Sequence, residues 1–226
     1  MKSCIIVVNT IALPATKYIY NEKKRELCEK FSLSFMRHAA KLCEDAGRED
    51  SALSGRKSAS GPSAAVAEGA EDPLSCLQER MSTGGEDSTA CLRKMAEGGE
   101  NPLSYIREMG DGGILNALWY MNEELGSGME IDLRKIPIRQ ETVEILELFN
   151  VNPYYAKSDG AWLIVTQDPV SVTETCEKAG LPCALIGHLT PGPARIIKNG
   201  DSIRYLDRPQ EDALHAFRRQ GAEHYG

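Results

Sequence analysis

Two short stretches carry residue types and spacing that could do chemistry. Asp111-Gly112-Gly113 is an acidic glycine turn running directly into Ile-Leu-Asn-Ala-Leu-Trp-Tyr-Met, residues 114–121. Paired glycines allow positive φ and close backbone approach. A helix start adds unpaired N–H groups and the positive end of a dipole, a natural seat for phosphate. Ser158-Asp159-Gly160 is a second small turn, opening into the apolar run Ala161-Trp-Leu-Ile-Val-Thr166.

Other chemistries are poorly supported. The seven cysteines (Cys4, Cys28, Cys43, Cys76, Cys91, Cys176, Cys183) form no C-x-x-C pair, which points to reduced thiols and a cytoplasmic setting. The four histidines (His38, His188, His215, His224) have no zinc-ligand spacing, so no metal ligands are assigned. A net charge of −7 argues against nucleic acid and anionic membranes as partners. No run of 18 apolar residues is present, so no membrane span is expected. The apolar start at Cys4-Ile-Ile-Val-Val is broken at once by Asn9 and Thr10 and reads as a buried strand rather than a secretion signal.

The elements that must position the two turns follow from periodicity. A strand is expected over 4–13, closed by Pro14, and helical spacing over 21–45 places Leu27, Phe31 and Phe35 on one face, with Ser32 or Ser34 as a cap. The Ser/Ala/Gly-rich stretch 47–70 reads as a flexible linker. Three tandem units follow: EDPLSCLQERMSTGG (71–85), EDSTACLRKMAEGG (86–99) and ENPLSYIREMGDGG (100–113). Each is expected to form a short surface helix ending at its glycine pair, with Leu103 and Ile106 making the apolar face of the third. Ile114, Leu115, Leu118, Met121 and Leu125 mark a helix ending near Gly126, and 128–133 alternates like a strand. A helix carries Val143, Leu146 and Phe149, a strand spans 161–166, and Asp168-Pro169 starts a helix closed by Gly180. A strand over 183–189 and a hairpin over 195–206, turning at Asn199-Gly200, complete the sheet. Beyond Pro209 a polar, fraying helical tail is expected. Trp119, Trp162 and His188 read as packing residues, and Arg139 and Glu141 as surface charges at a helix start. The sum is an α+β (mixed α/β) domain, helices packed on one mixed β-sheet.

The segments GGILNALWYMNEELGSGMEIDL, IPIRQETVEILELFNVNPYYAKSDGAWLIV and LIGHLTPG resemble the C-terminal domain of the aminoimidazole ribonucleotide (AIR) synthetase-like superfamily, in its AIR synthase-related and hydrogenase maturation factor-like branch. IIVVNTIALPATKYIYNEKKRELCEKF resembles the strand and helix that open that domain. The resemblance implies four segments: 1–45, the first strand and helices; 46–103, an inserted linker and repeats; 104–208, the remainder of the domain; and 209–226, a polar tail. It also implies a homodimer, and ATP with Mg²⁺ as cofactors bound largely by an N-terminal ATP-binding domain. The 226 residues leave no room for that domain, so it is expected from a separate polypeptide. By this resemblance Asp111, Gly112, Gly113, Ser158, Asp159 and Gly160 line the phosphate side, with Arg107 as an anion contact.

The family pattern His-Asp-x-x-Glu-Gly-Gly reads Arg107-Glu108-Met109-Gly110-Asp111-Gly112-Gly113 here. An always-charged Arg cannot take over proton transfer from a His. The chain also ends His224-Tyr225-Gly226, without the C-terminal cysteine of the hydrogenase factor. Two functions are therefore carried forward. One is a domain that binds a phosphate-bearing ligand or completes an ATP-dependent site of the ligase or phosphoryl-transfer type with a partner domain. The other is a noncatalytic interaction module, a degenerate relative of the hydrogenase factor.

Overall fold

The computed structural model describes residues 3–51 and 103–223. The expected linker is corrected at its start, where 47–51 continue the helix that begins at Leu33; the rest of the linker and the first two repeat units lie outside the described residues. β1 (Cys4–Val8) is followed by α1 (Leu13–Glu22), α2 (Lys24–Lys30) and α3 (Leu33–Ser51). Then come β2 (Leu103–Glu108), α4 (Gly113–Leu125) and β3 (Gly128–Asp132), with a 3₁₀ turn at Leu133–Lys135. α5 (Gln140–Leu148), a 3₁₀ turn at Pro153–Tyr155, β4 (Trp162–Thr166), α6 (Pro169–Lys178), β5 (Cys183–Thr190), β6 (Arg195–Asn199), β7 (Ser202–Tyr205) and α7 (Ala213–Glu223) complete the order.

The strands form one mixed sheet in the order β2-β4-β1-β5-β3-β6-β7, antiparallel except for the parallel pair β3 and β6. β1 is central and covered on both faces, which is why its sequence is a continuous β-branched run rather than an alternation. Ile5, Val7, Leu163, Val165, Met129, Ile131 and Ile197 face the main core. Ile114, Leu115, Leu118 and Met121 of α4 join the same core, together with residues of α1, α3 and α5. Ile6, Val8, Trp162 and Ile164 face the other way, where Val172 and Cys176 of α6 cover them. The expected α+β architecture is the one observed.

Four further local expectations are corrected. Pro14 sits in the first turn of α1 and opens a helix instead of closing a strand, because the missing N–H of proline is harmless there. The third repeat unit is strand β2 rather than a short helix: its backbone pairs with β4 from Leu103↔Thr166 to Glu108↔Trp162. The hairpin turns at Gly200-Asp201, one residue later than expected, since Asn199 pairs with Ser202. Gly200 alone supplies the positive φ (62°), at the first central position, as a II′ turn requires. The polar tail is helix α7, docked by buried Leu214 and by Phe217, whose ring meets Phe149 edge-on at 5.9 Å.

Other elements follow the sequence closely. α4 ends on Gly126 at φ 59°. Asp168 caps α6 by accepting the Ser171 N–H at 3.1 Å. Ser32 caps α3 by accepting the Phe35 N–H at 3.2 Å. Trp162 packs in the second core, and Trp119 stacks under the Arg195 guanidinium at 3.9 Å.

Candidate functional site

The sheet register decides where the loops meet. Val8 at the end of β1, Trp162 at the start of β4 and Glu108 at the end of β2 lie in one row. The connections that leave this row are therefore neighbours: 9–12 after β1, 109–112 after β2 and 156–161 before β4. Three separate parts of the chain converge on one end of the sheet.

The convergence is held by specific hydrogen bonds. The Glu108 carboxylate accepts the Gly160 N–H at 2.9 Å. Asn9 Nδ2 donates to the Gly160 carbonyl at 3.1 Å. Ser158 Oγ accepts the Ala12 N–H at 2.9 Å and donates to the Ala156 carbonyl at 2.8 Å. The Ser158 N–H reaches the Gly110 carbonyl at 3.3 Å, and the Met109 N–H the Ala161 carbonyl at 2.8 Å. Asn9 (φ 71°) and Ala12 (φ 60°) both adopt left-handed backbone, a conformation that costs a non-glycine residue roughly 1–2 kcal/mol and that clusters at functional loops.

Six of the seven site residues expected from the sequence are thus brought together: Asp111, Gly112, Gly113, Ser158, Asp159 and Gly160. Lys157 bridges the two turns, with Nζ 3.0 Å from Asp111 Oδ1 and 3.2 Å from Asp159 Oδ2. Burial pulls the Lys157 pKa down, but the bonds and charges of Asp111 and Asp159 outweigh it and raise the group above its ordinary value. Arg107 does not converge. Its guanidinium bonds Glu124 at 2.7 Å and lies over the Tyr120 ring at 5.0 Å, on the flank of α4.

The glycine turn has an internal occupant. Asp212 Oδ2 accepts the Gly112 N–H at 2.7 Å. Asp212 Oδ1 caps α7 by accepting the Leu214 and His215 N–H groups at 2.9 and 3.3 Å. Asn116 binds the backbone of Gln210 in both directions, at 2.8 and 3.1 Å. One buried carboxylate therefore lies where the starts of α4 and α7 meet, with both helix dipoles pointing at it. The Gly113 N–H is turned onto the Gly110 carbonyl at 3.3 Å. With Gly112 and Gly113 so engaged, the turn as folded does not fit a phosphate group on its backbone. The rim does present Asp111 and Asp159, carboxylates of the kind that hold Mg²⁺ beside substrate phosphates. Among the described residues no three His, Cys, Asp or Glu groups gather into a metal site.

Sequence reasoning missed Glu108, Lys157, Asn9 and Asp212. Lys157 directly precedes Ser158, and Asp212 stands where a cap precedes Ala213-Leu214, so both had a local signal. Asn9 and Glu108 had none, because their roles depend on the register of β1 and β2 against β4.

A mixed seven-stranded sheet with one heavily covered face, and loops gathered at one end of β1, β2 and β4, defines the class of domain. The chain belongs to the family described as AIR synthase related protein, C-terminal domain, whose profile matches residues 76–198. Over 93 residues it is 31% identical to phosphoribosylformylglycinamidine synthase subunit PurL of Methanopyrus kandleri, covering 40% of this chain and 12% of that protein. The crystal structure of E. coli HypE aligns over 96% of this chain and 52% of its own, with a TM-score of 0.59 and 12% identity. A structure of the hydrogenase maturation protein HypE in complex with ATP aligns over 94% of this chain and 52% of its own, with a TM-score of 0.54 and 10% identity. At such identities the likeness to HypE is one of fold. The chain spans about half of those HypE chains and 12% of the PurL relative.

Proposed function

We propose that this domain supplies one wall of a composite, ATP-dependent site whose nucleotide-binding half is a separate domain. The observation that carries the reading is the convergence of the 109–112 and 156–161 loops, bridged by Lys157 between Asp111 and Asp159. Family membership and the ATP complex of a structural neighbour support it. In this reading Asp111 and Asp159 face Mg²⁺ and phosphate brought by the partner, and Lys157 draws the two carboxylates together and orients them. Ser158, Gly160 and the Gly112-Gly113 turn shape the wall behind them. Mg²⁺ would neutralise charge on the phosphate oxygens. Arg107 is left outside the contact.

The test combines the chain with a separately produced ATP-binding domain of the same family. The chain alone is expected to show no ATP turnover, and the mixture to associate by calorimetry, with Lys157→Ala weakening association about tenfold, or ~1.4 kcal/mol. Turnover by the chain alone, or association indifferent to Lys157→Ala, would overturn the reading.

The second reading, a noncatalytic interaction module, draws support from Asp212 at the turn and from Arg107 where the family has histidine. Melting curves with ATP, ADP, phosphate and Mg²⁺, run on the chain and on its mixture with the partner domain, separate the two, since a ligand of the folded state raises the midpoint. A homodimer in the cytoplasm completes the proposal.

A further inference from the structure

The second, smaller core contains a thiol pair that the candidate site does not use. Cys176 lies in α6 and is wholly buried against Ile6, Val8, Trp162 and Ile164. Cys183 is the first residue of β5, packs against the same cluster and is partly exposed. The two thiols are hydrogen-bonded to each other, while the Thr173 hydroxyl, one turn earlier in α6, donates to the Pro169 carbonyl at 2.7 Å. Only residues 177–182 separate them, and this loop turns through Gly180 at φ 70°.

We propose that Cys176 and Cys183 form an oxidisable dithiol that reacts with a peroxide and closes to an intramolecular disulfide tying α6 to β5. The half-exposed Cys183 is the attacking sulfur. Its thiolate takes the distal oxygen of hydrogen peroxide, giving a sulfenic acid and hydroxide. The Cys176 sulfur then attacks the Cys183 sulfur, forming the S–S bond and expelling the oxygen as water. In sum two thiols and one peroxide give one disulfide and two waters, the sulfurs losing two electrons and the peroxide gaining them.

The surroundings separate this pair from another buried cysteine. The hydrogen bond from Cys176 holds the Cys183 thiol below its ordinary range, opposed by burial. The Cys43 thiol is pushed up to about 11 by burial and stays protonated and inert. The loop has a line to the functional end of the sheet as well: the Pro182 carbonyl accepts the Asn9 N–H at 2.6 Å, and Asn9 holds Gly160.

The experiment treats the full chain with equimolar hydrogen peroxide, blocks remaining thiols with N-ethylmaleimide and maps the peptides by mass spectrometry. The expected result is one crosslinked peptide pair containing Cys176 and Cys183, two hydrogens lighter and reversed by dithiothreitol, with a melting temperature raised by a few degrees. In Cys176→Ser the sulfenic acid on Cys183 is expected to accumulate and to be trapped by dimedone. Cys183→Ser, at the more exposed position, guards against a folding defect and should abolish the crosslink while circular dichroism is unchanged. Recovery of both cysteines as maleimide adducts, or crosslinking of Cys183 to a different cysteine, would overturn the proposal.

Discussion

At the scale of single residues, Gly113 and Cys43 show most directly how local chemistry is tied to this fold. Gly113 opens α4 at φ 60°, and a Cβ there would stand 2.6 Å from the Ala156 carbonyl oxygen and 2.7 Å from that of Tyr154. Those atoms are backbone at the base of the 156–161 loop and cannot step aside cheaply. Gly113→Ala should therefore cost roughly 3 kcal/mol, combining left-handed strain with overpacking; urea unfolding with an unchanged midpoint would contradict it. Cys43 bears on pH. Burial pushes its thiol up to about 11, with Lys17 opposing and Glu44 adding, and burial pushes the Tyr105 hydroxyl up to about 12. Both groups keep their proton in the fold after the unfolded chain has released it, so stability is full below pH 9 and falls as pH rises through 9 to 12. Cys43→Ala should flatten the decline between pH 9.0 and about pH 11 by on the order of 1 kcal/mol once solvent screening is allowed for. An equally steep decline in the variant would remove Cys43 from the account.

At the scale of elements, the strands and helices that could be read from the sequence were those whose pattern is decided locally. α4 was legible because its apolar face and its closing Gly126 lie within thirteen residues. α6 was legible from Asp168-Pro169 and Gly180, which act on their own neighbours. β2 was not, because Leu103 and Ile106 suit either spacing and only pairing with β4 decides between them. α7 was legible as a helix but not as a docked one, because its docking depends on Asp212 reaching Gly112 across a hundred residues of chain. The glycine turn itself was found, but the partner of its N–H was not. That contact is testable. Asp212→Ala removes the cap of α7 and leaves the buried Gly112 N–H without its acceptor, which together should cost about 2–4 kcal/mol. Hydrogen exchange at the Gly112 amide should accelerate by more than the global change in stability accounts for. Unchanged protection at Gly112 would mean that α7 does not hold the turn.

At the scale of the whole molecule, the sheet's two edges differ in what they leave open. β2 is flanked by the salt bridge of Arg107 and Glu124 and by half-buried Tyr105. β7 has four residues, all exposed, with Ile203 66% and Tyr205 71% accessible. Among the described residues no strand pairs with the outer side of β7, and an unpaired edge bearing apolar side chains is a template for another strand, which folded chains either protect with charge or pair. Arg204, which lies 3.7 Å from Asp207, is the only charge within β7. A homodimer joined through β7 would extend the sheet, cover Ile203 and Tyr205 from both copies, and leave the loop end at Asp111, Lys157 and Asp159 free for a partner domain. The expected mass by light scattering is twice 24.8 kDa. Ile203→Lys places a second charge in that strand, and it should shift the dimer to monomer at micromolar concentration while the circular dichroism spectrum and the midpoint of monomer unfolding stay unchanged. A 24.8 kDa particle for the unsubstituted chain at every concentration would rule out this assembly. A dimer indifferent to Ile203→Lys would move the interface to another face. Separate titration of the ATP-binding domain against the monomeric variant then tells whether the wall at Lys157 works one copy at a time.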